Sequence, residues 1–152
     1  MHLSLGRVEV HVVVRNDSGE AKEALRWAIE EARLRQATLR AVRVWRHPAI
    51  YVHGYLPPDL LDRGLEQDRM KHALDAVVAE VAGESPPVPL ERIIVEGPTA
   101  QVLVDAADEA DLLVVGSRGH GGFTGLLLGS VSQQCVHHAR CAVVIVRKQR
   151  SR

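Results

Sequence analysis

Glycine is concentrated in one short segment of this chain, and the segment has the composition of a ligand-binding loop. Six of the twelve glycines fall between Gly116 and Gly129, after an apolar run and directly before Ser130. Glycine lets backbone N–H groups approach a ligand closely, and a helix that starts after such a loop adds free N–H groups and a dipole that favours negative charge. The segment therefore predicts a binding site for a phosphate chain.

Three glycines and a serine in this segment follow a regular spacing. The pattern is glycine, two residues, glycine, nine residues, and then glycine followed by serine, at Gly116, Gly119, Gly129 and Ser130. The Ser130 hydroxyl could cap the following helix or donate a hydrogen bond to a phosphate oxygen. Arg118 or His120 could add charge-assisted contacts. The loop thus has both main-chain and side-chain donors for an anion.

Two other glycine signatures do not fit the segment. A Walker A loop requires a lysine directly before its serine or threonine, whereas Gly129 precedes Ser130 and the loop contains no lysine. The dinucleotide-binding fingerprint belongs after the first strand, where this chain has RNDSG at 15–19. A P-loop hydrolase and an NAD-binding enzyme are therefore not predicted.

Neither metal nor covalent chemistry is favoured by the other reactive side chains nearby. Four ligand-type residues near the C-terminus have the wrong spacing for zinc, because a helix places positions 135 and 138 on one face and 137 elsewhere; they are Cys135, His137, His138 and Cys141. Serine hydrolysis needs a base oriented by a third group, which the sequence around Ser117 and His120 does not supply. Core thiols and surface histidines are predicted instead.

The segments around the loop alternate between strand and helix patterns. Strand patterns cover 8–14, 38–45, 90–95, 111–116 and 141–147, and helix patterns cover 20–32, 59–82, 98–110 and 130–138. Such alternation produces parallel strands joined by right-handed crossovers. We therefore predict a single α/β domain over residues 1–152, with a five-stranded parallel sheet in the order 3-2-1-4-5 and helices on both faces.

This topology places the glycine segment where ligands bind. In open parallel sheets, ligands lie outside the carboxyl ends of the strands, at the point where the winding direction reverses, here between the first and fourth strands. The glycine segment leaves the carboxyl end of the fourth strand.

Residues 46–58, with three of the seven prolines, form a long loop of the kind that often serves as a lid. Arg40 and Arg43 suggest that the second strand is less buried than the first.

Composition limits the partners that the chain could have. The 19 basic and 19 acidic side chains and the 3% aromatic content do not favour a nucleic-acid partner. No stretch approaches the about 20 apolar residues that a membrane-spanning helix requires. The N-terminal segment lacks the pattern of a secretory signal, and two cysteines are most simply reduced thiols, so we expect a cytoplasmic location.

Over nearly its whole length the sequence resembles the universal stress proteins, in particular the members that bind ATP. The similarity rests on EALRWA in the first helix, GPTAQVLVDAA before the fourth strand, and ADLLVVGSRGHGGFTGLLLGSVSQQCVHHARCAVVIVR, which includes the glycine spacing. The resemblance implies a flavodoxin-like sheet that binds ATP and admits Mg²⁺ alongside it. It also implies a homodimer formed by pairing of the last strands, here Ala142 to Arg147.

The same resemblance implies roles for individual positions. The middle of the second strand, best matched by Val42, would hydrogen-bond adenine through its main chain. Relatives that bind ATP usually end the first strand with Asp, and Asn16 stands at that position here, with Asp17 next to it. Asn16 can still donate and accept hydrogen bonds, and a one-residue shift would bring in Asp17. The ribose and phosphates would be held by the main chain of Val115, Gly116, Gly119, Gly129, Ser130 and Val131.

Three functions follow from these observations. The first is an ATP-binding homodimer that acts as a nucleotide-responsive stress or signalling module. The second is a slow ATP hydrolase or phosphotransferase, although the sequence offers no evident catalytic base or metal-binding acid for the site beyond Asp17. The third is a structural dimer of the same family that binds no nucleotide, an alternative that Asn16 in place of the usual Asp keeps open.

Overall fold

The computed structural model describes residues 8–15, 18–46, 63–117 and 128–148 of the 152-residue chain. These residues form five strands and four helices that alternate along the chain, as predicted. In order they are β1 (Glu9–Val13), α1 (Gly19–Arg35), β2 (Thr38–Trp45), α2 (Arg63–Ala82), β3 (Leu90–Glu96), α3 (Thr99–Ala107), β4 (Leu112–Gly116), α4 (Ser130–His138) and β5 (Ala142–Val146).

The strands form one parallel sheet in the order β3-β2-β1-β4-β5, which confirms the predicted order. β1 lies at its centre, where Val12 is in register with Ala41 of β2 and with Val114 of β4. Residues of α1 and α2 pack against one face of the sheet, and residues of α3 and α4 pack against the other. The predicted α/β fold class is therefore confirmed.

Neighbouring residues of the central strands contribute to opposite halves of the core. Val12 packs with Leu25 of α1 on one face, whereas Val13 packs with Leu103 of α3 on the other. A strand covered on both faces needs apolar residues at consecutive positions. This is why β4 begins with four consecutive apolar residues, all of them buried, instead of an alternating pattern.

As predicted, the second strand is slightly less buried than the first, with two half-buried residues where β1 has one. β2 lies between β3 and β1, so both of its faces are covered, and only Arg40 and Arg43 are half-buried among its residues. Arg40 Nη2 lies 3.3 Å from Glu9 Oε1, and Arg40 Nε lies 2.9 Å from Glu91 Oε2. Because carboxylates on both neighbouring strands pair with it, an arginine can occupy this interior strand.

The ends of several elements differ from the predicted ends by a few residues. β5 ends at Val146, before Arg147, and α3 ends at Ala107, before Ala110. Residues 108–110 continue as a turn in which Asp108, Glu109 and Ala110 donate N–H groups to carbonyls of the last turn of α3. The apolar period alone does not distinguish such a turn from the last residues of a helix.

α1 begins at Gly19, and Ser18 is its capping residue: Ser18 Oγ accepts a hydrogen bond from Ala21 N at 3.2 Å. Asp17 lies outside the described residues, as do 47–58 of the predicted long loop and 59–62 of the predicted second helix. Among the helices that are described, none has both the length and the apolar composition needed to cross a membrane.

Candidate functional site

The two ends of the glycine-rich segment meet at the carboxyl end of β4. Ser117 N donates to Val146 O of β5 at 2.9 Å, and Gly129 N donates to Ser117 O at 2.7 Å. In the first turn of α4, Ser132 Oγ donates to Gly116 O at 2.6 Å. We call these four residues, Gly116, Ser117, Gly129 and Ser132, the loop neck. Because β4 pairs with β1, the loop neck lies at the switch point of the sheet.

The main chain of the first turn of α4 is presented at the loop neck. Gly129, the residue before the helix, has extended backbone with φ −70° and ψ 164°, and it has no side chain with which to cap the helix. Ser130 is the first helical residue and is exposed, so the predicted capping by Ser130 is not observed. N–H groups of a first turn without a side-chain cap, together with the helix dipole, favour an anion at this position.

The structure brings together one half of the predicted binding residues. Two of them end β4 and three begin the α4 segment, so they lie within one hydrogen-bonded unit; they are Val115, Gly116, Gly129, Ser130 and Val131. Four other predicted residues lie outside the described residues; they are Asn16, Asp17, Arg118 and Gly119. The described part of the site is therefore a part for which contacts to the ribose and phosphates are predicted.

Val42, the predicted adenine contact, lies toward the carboxyl half of β2. Its side chain is buried in the same core cluster as Val13, and its carbonyl accepts a hydrogen bond from Val14 N at 2.9 Å. A carbonyl oxygen has two lone pairs, so this contact does not exhaust its capacity as an acceptor. Val42 is separated from β4 by β1, which places it across the switch point from the loop neck.

One contact at the loop neck was not predicted from the sequence. Ser117 Oγ donates a hydrogen bond to Glu20 Oε2 at 3.3 Å, and Ser117 is only 4% exposed. Glu20 lies in the first turn of α1, so the contact joins α1 to the end of β4. The two residues are 97 positions apart, and neither has a pattern that would indicate the other.

A cavity of about 330 Å³ lies beside α4 at the same edge of the sheet. Its lining includes Arg46, which follows β2, Thr99 in the first turn of α3, and Val131 and Gln134 of α4. The first turns of two helices and a guanidinium therefore border one concave space. Positive dipole ends and an arginine both favour a negatively charged group.

The cysteines and histidines near the C-terminus are arranged as predicted. Cys135 is a buried free thiol, Cys141 is a half-buried free thiol, and His137 and His138 are exposed. Burial raises the pKa of Cys135 to about 11, with the nearby Cys141 adding to the effect, so this thiol stays protonated. Within the described ranges, His, Cys, Asp and Glu residues form no group of three or more that could hold a metal ion.

A second polar cluster occupies the opposite, amino edge of the sheet. His11 is 2% exposed, its Nε2 lies 3.4 Å from Glu9 Oε2, and no described residue is a hydrogen-bond partner of its Nδ1. Burial lowers the pKa of His11 below 6.5, and the charge of Arg40 lowers this pKa further. The hydrogen bond with Glu9 and the charges of Glu9 and Glu109 raise it, but they do not offset the effect of burial. The cluster is remote from the loop neck because it lies at the other end of the strands.

The fold and the loop neck define an α/β protein of the flavodoxin-like type with a candidate anion site at its switch point. Residues 10–147 match the profile of the universal stress protein family, and the chain belongs to that family. A universal stress protein of Mycobacterium tuberculosis is 35% identical over 154 residues, which cover 98% of this chain and 51% of that protein. This chain spans about half the length of the curated relatives it matches.

Solved structures of the family have the same fold. A universal stress protein in complex with cAMP is 24% identical, with a TM-score of 0.58 over 93% of this chain and 98% of its own. A universal stress protein from Archaeoglobus fulgidus in complex with dAMP is 21% identical, with a TM-score of 0.58 over 91% of this chain and 97% of its own.

Proposed function

We propose that this chain is an adenine-nucleotide-binding stress or signalling module, with ATP as its ligand. The observation that carries the proposal is the loop neck, which holds the start of α4 against the end of β4 by the Gly129–Ser117 and Ser132–Gly116 hydrogen bonds of 2.7 and 2.6 Å. A phosphate group fits beside this arrangement because the first turn of α4 offers main-chain N–H groups and the exposed Ser130 hydroxyl as donors.

The phosphates would lie at the first turn of α4. Ser130 is exposed and has no capping role, so its hydroxyl can donate to a phosphate oxygen. Arg118 and the main chain of Gly119 are proposed to complete the phosphate contacts from the glycine loop. Mg²⁺ would accompany a triphosphate and neutralise part of its charge, while the contacts from this chain remain hydrogen bonds.

The nucleoside would lie toward β1 and β2. We propose that the Val42 main chain contacts adenine and that Asn16 or Asp17 contacts the ribose, since the β1–α1 connection leaves the central strand at the same edge. Relatives of the same fold solved with cAMP and dAMP support an adenine nucleotide as the ligand class. The described residues contain no arrangement that favours hydrolysis over binding, so we propose a binding protein.

The proposed module is a cytoplasmic homodimer that pairs through β5. β5 is an edge strand, and its residues are half-buried or exposed. The Val146 carbonyl accepts from Ser117 N, so the main-chain groups of the preceding residue, Ile145, point toward the open edge. A cavity of about 460 Å³ runs along this edge between Trp27 of α1 and β5. Free thiols at Cys135 and Cys141 are consistent with a reducing compartment.

Calorimetric titration tests the proposed ligand. We expect ATP with Mg²⁺ to bind with one site per chain and to raise the thermal midpoint, whereas GTP at the same concentration should bind much more weakly. Absence of both heat and stabilisation with ATP, AMP and cAMP would contradict the proposal. ATP turnover at a steady rate that Asp17→Ala abolishes would favour the hydrolase alternative.

Sedimentation velocity tests the proposed dimer. Ile145→Pro removes an N–H group that points to the open edge, so we expect it to shift a wild-type dimer to monomer while ATP binding persists. A wild-type chain that sediments as a monomer at concentrations above about 100 μM would contradict pairing through β5.

A further inference from the structure

Ser117 connects three elements at the loop neck. Its N–H donates to Val146 O of β5 at 2.9 Å, and its carbonyl accepts from Gly129 N at 2.7 Å. Its hydroxyl donates to Glu20 Oε2 of α1 at 3.3 Å. Ser117 is 4% exposed, so the contact with Glu20 is shielded from water on the side of the hydroxyl.

Glu20 lies on α1, and α1 packs on the face of the sheet opposite to α4. α1 and α4 lie on different faces, and the Glu20–Ser117 hydrogen bond passes around the end of β4 to join them through the loop neck. A Cβ placed on Gly116 would lie 3.5 Å from Glu20 Cβ and 3.6 Å from Glu20 O, which is ordinary van der Waals contact. The first turn of α1 therefore packs closely against the end of β4.

Through Glu20, this contact links the loop neck to the start of α1, next to the β1–α1 connection. Glu20 lies two residues after Ser18, the cap of α1, and the β1–α1 connection ends at that cap. A hydrogen bond whose acceptor is a carboxylate thus joins the two segments on either side of the switch point. Hydrogen bonds to ionised groups are stronger than neutral ones, and a carboxylate is favoured in the first turn of a helix.

We propose that Glu20 is a positioning residue of the nucleotide site, which fixes the Ser117 hydroxyl and thereby holds the start of α1 at a set distance from the loop neck. The inference rests on the proposed function, because it concerns the same site. Glu20 acts through Ser117 and does not contact the nucleotide. If Glu20 acted only through its charge, it would repel the phosphates, and its removal would tighten ATP binding. If Glu20 is a positioning residue, its removal weakens ATP binding.

The test compares ATP affinity among Glu20→Ala, Glu20→Gln, Ser117→Ala and the double variant Glu20→Ala/Ser117→Ala. We expect each single alanine variant to weaken ATP binding by about five- to tenfold, and the double variant to be no weaker than the single ones, because both remove one shared contact. Glu20→Gln keeps an acceptor oxygen and should bind ATP within about twofold of wild type.

Glu23→Ala is the matched control. Glu23 is the next acidic residue of α1, and its Oε1 pairs with Arg26 Nη1 at 2.7 Å on the exposed side of the helix, so its removal should leave ATP affinity unchanged. In the absence of nucleotide, the Gly129 amide resonance should shift in Glu20→Ala and not in Glu23→Ala, because Gly129 N donates to Ser117 O.

Two results would overturn the proposal while the proposed function stands. One is wild-type ATP affinity in Glu20→Ala and Ser117→Ala. The other is tighter ATP binding in both Glu20→Ala and Glu20→Gln, which would mean that Glu20 acts by charge alone. Failure of the wild-type chain to bind any adenine nucleotide is a separate result, and it would overturn both proposals. If Glu20→Ala does not fold, Ser117→Ala still tests whether loss of the contact weakens ATP binding. Glu20→Gln still tests whether Glu20 acts by charge alone.

Discussion

Gly129 N donates a hydrogen bond to Ser117 O at 2.7 Å, although residues 118–128 lie between the two along the chain. The glycine segment is therefore closed at its base, and the base is anchored to the sheet through Ser117 N and Val146 O. A loop closed in this way presents the start of α4 at a defined place however residues 118–127 are arranged. The candidate site thus has a fixed part, which is made by strand and helix ends.

Ser130→Ala should weaken ATP binding without destabilising the protein. The Ser130 hydroxyl is exposed and does not cap α4, so its loss removes a proposed phosphate contact and no observed structural one. We expect a loss of affinity of about tenfold, the usual size for a hydrogen bond to a charged group, with an unchanged thermal midpoint. Gln133→Ala, on the exposed side of the same helix, is the control and should leave affinity at the wild-type value.

Ser132→Ala should reduce stability. Ser132 is 4% exposed, and its hydroxyl donates to Gly116 O at 2.6 Å, so the variant leaves a carbonyl of the loop neck without this donor. Urea unfolding should show a decrease in the free energy of unfolding of about 1–2 kcal/mol. Ser130→Ala again serves for comparison, because the two serines lie in the same helical turn. Equal unfolding midpoints for these two variants would argue against a structural role for the Ser132 hydroxyl.

Stability should fall as the pH decreases below the ordinary histidine pKa of 6.5, in part because of His11. Burial lowers the pKa of His11 in the folded state, so between the folded and unfolded pKa values the unfolded chain binds more protons. Above that window both states hold a neutral imidazole, and the contribution of His11 does not vary. On lowering the pH from about 8 to about 5.5, His11→Leu should lose less stability than wild type in urea titrations. Parallel pH profiles for the two proteins would contradict this.

Cys135 should be unreactive in the folded protein. Its pKa is raised to about 11 by burial, and the side chain is 0% exposed, so thiolate is scarce and inaccessible at neutral pH. With iodoacetamide at about pH 8, mass spectrometry should find Cys141 labelled before Cys135, and Cys135 labelled at an appreciable rate only after addition of denaturant. Labelling of Cys135 first would contradict the packing of α4 against the sheet.

Local patterns were sufficient to predict the elements of the fold and the strand order. The strand at Thr38–Trp45 and the helix at Ser130–His138 were predicted with the bounds that the structure has. Apolar periods report which face of each segment is buried, and strict alternation of strands and helices limits the topology to few arrangements. The same patterns predicted that the glycine segment leaves the sheet at its switch point.

Contacts between distant elements could not be predicted in this way. Arg40 marks a half-buried position of β2, but the sequence does not show that carboxylates of Glu9 and Glu91 pair with it inside the sheet. The Glu20–Ser117 hydrogen bond was missed because its geometry depends on how α1 packs against the end of β4, and no periodicity encodes that distance. Such pairings arise from tertiary packing and become visible only with the fold.

The central claim is that an adenine nucleotide binds at the carboxyl edge of the sheet, at the loop neck. The most direct measurement is a titration of the isotopically labelled protein with ATP and Mg²⁺, followed by amide resonances in two-dimensional NMR. We expect saturable shifts at Gly116, Ser117, Gly129, Ser130 and Val131, and none at Glu9, Thr38 and Asp111 of the amino edge. Saturable shifts confined to the amino edge, or no shifts at the loop neck at saturating ATP, would contradict the claim.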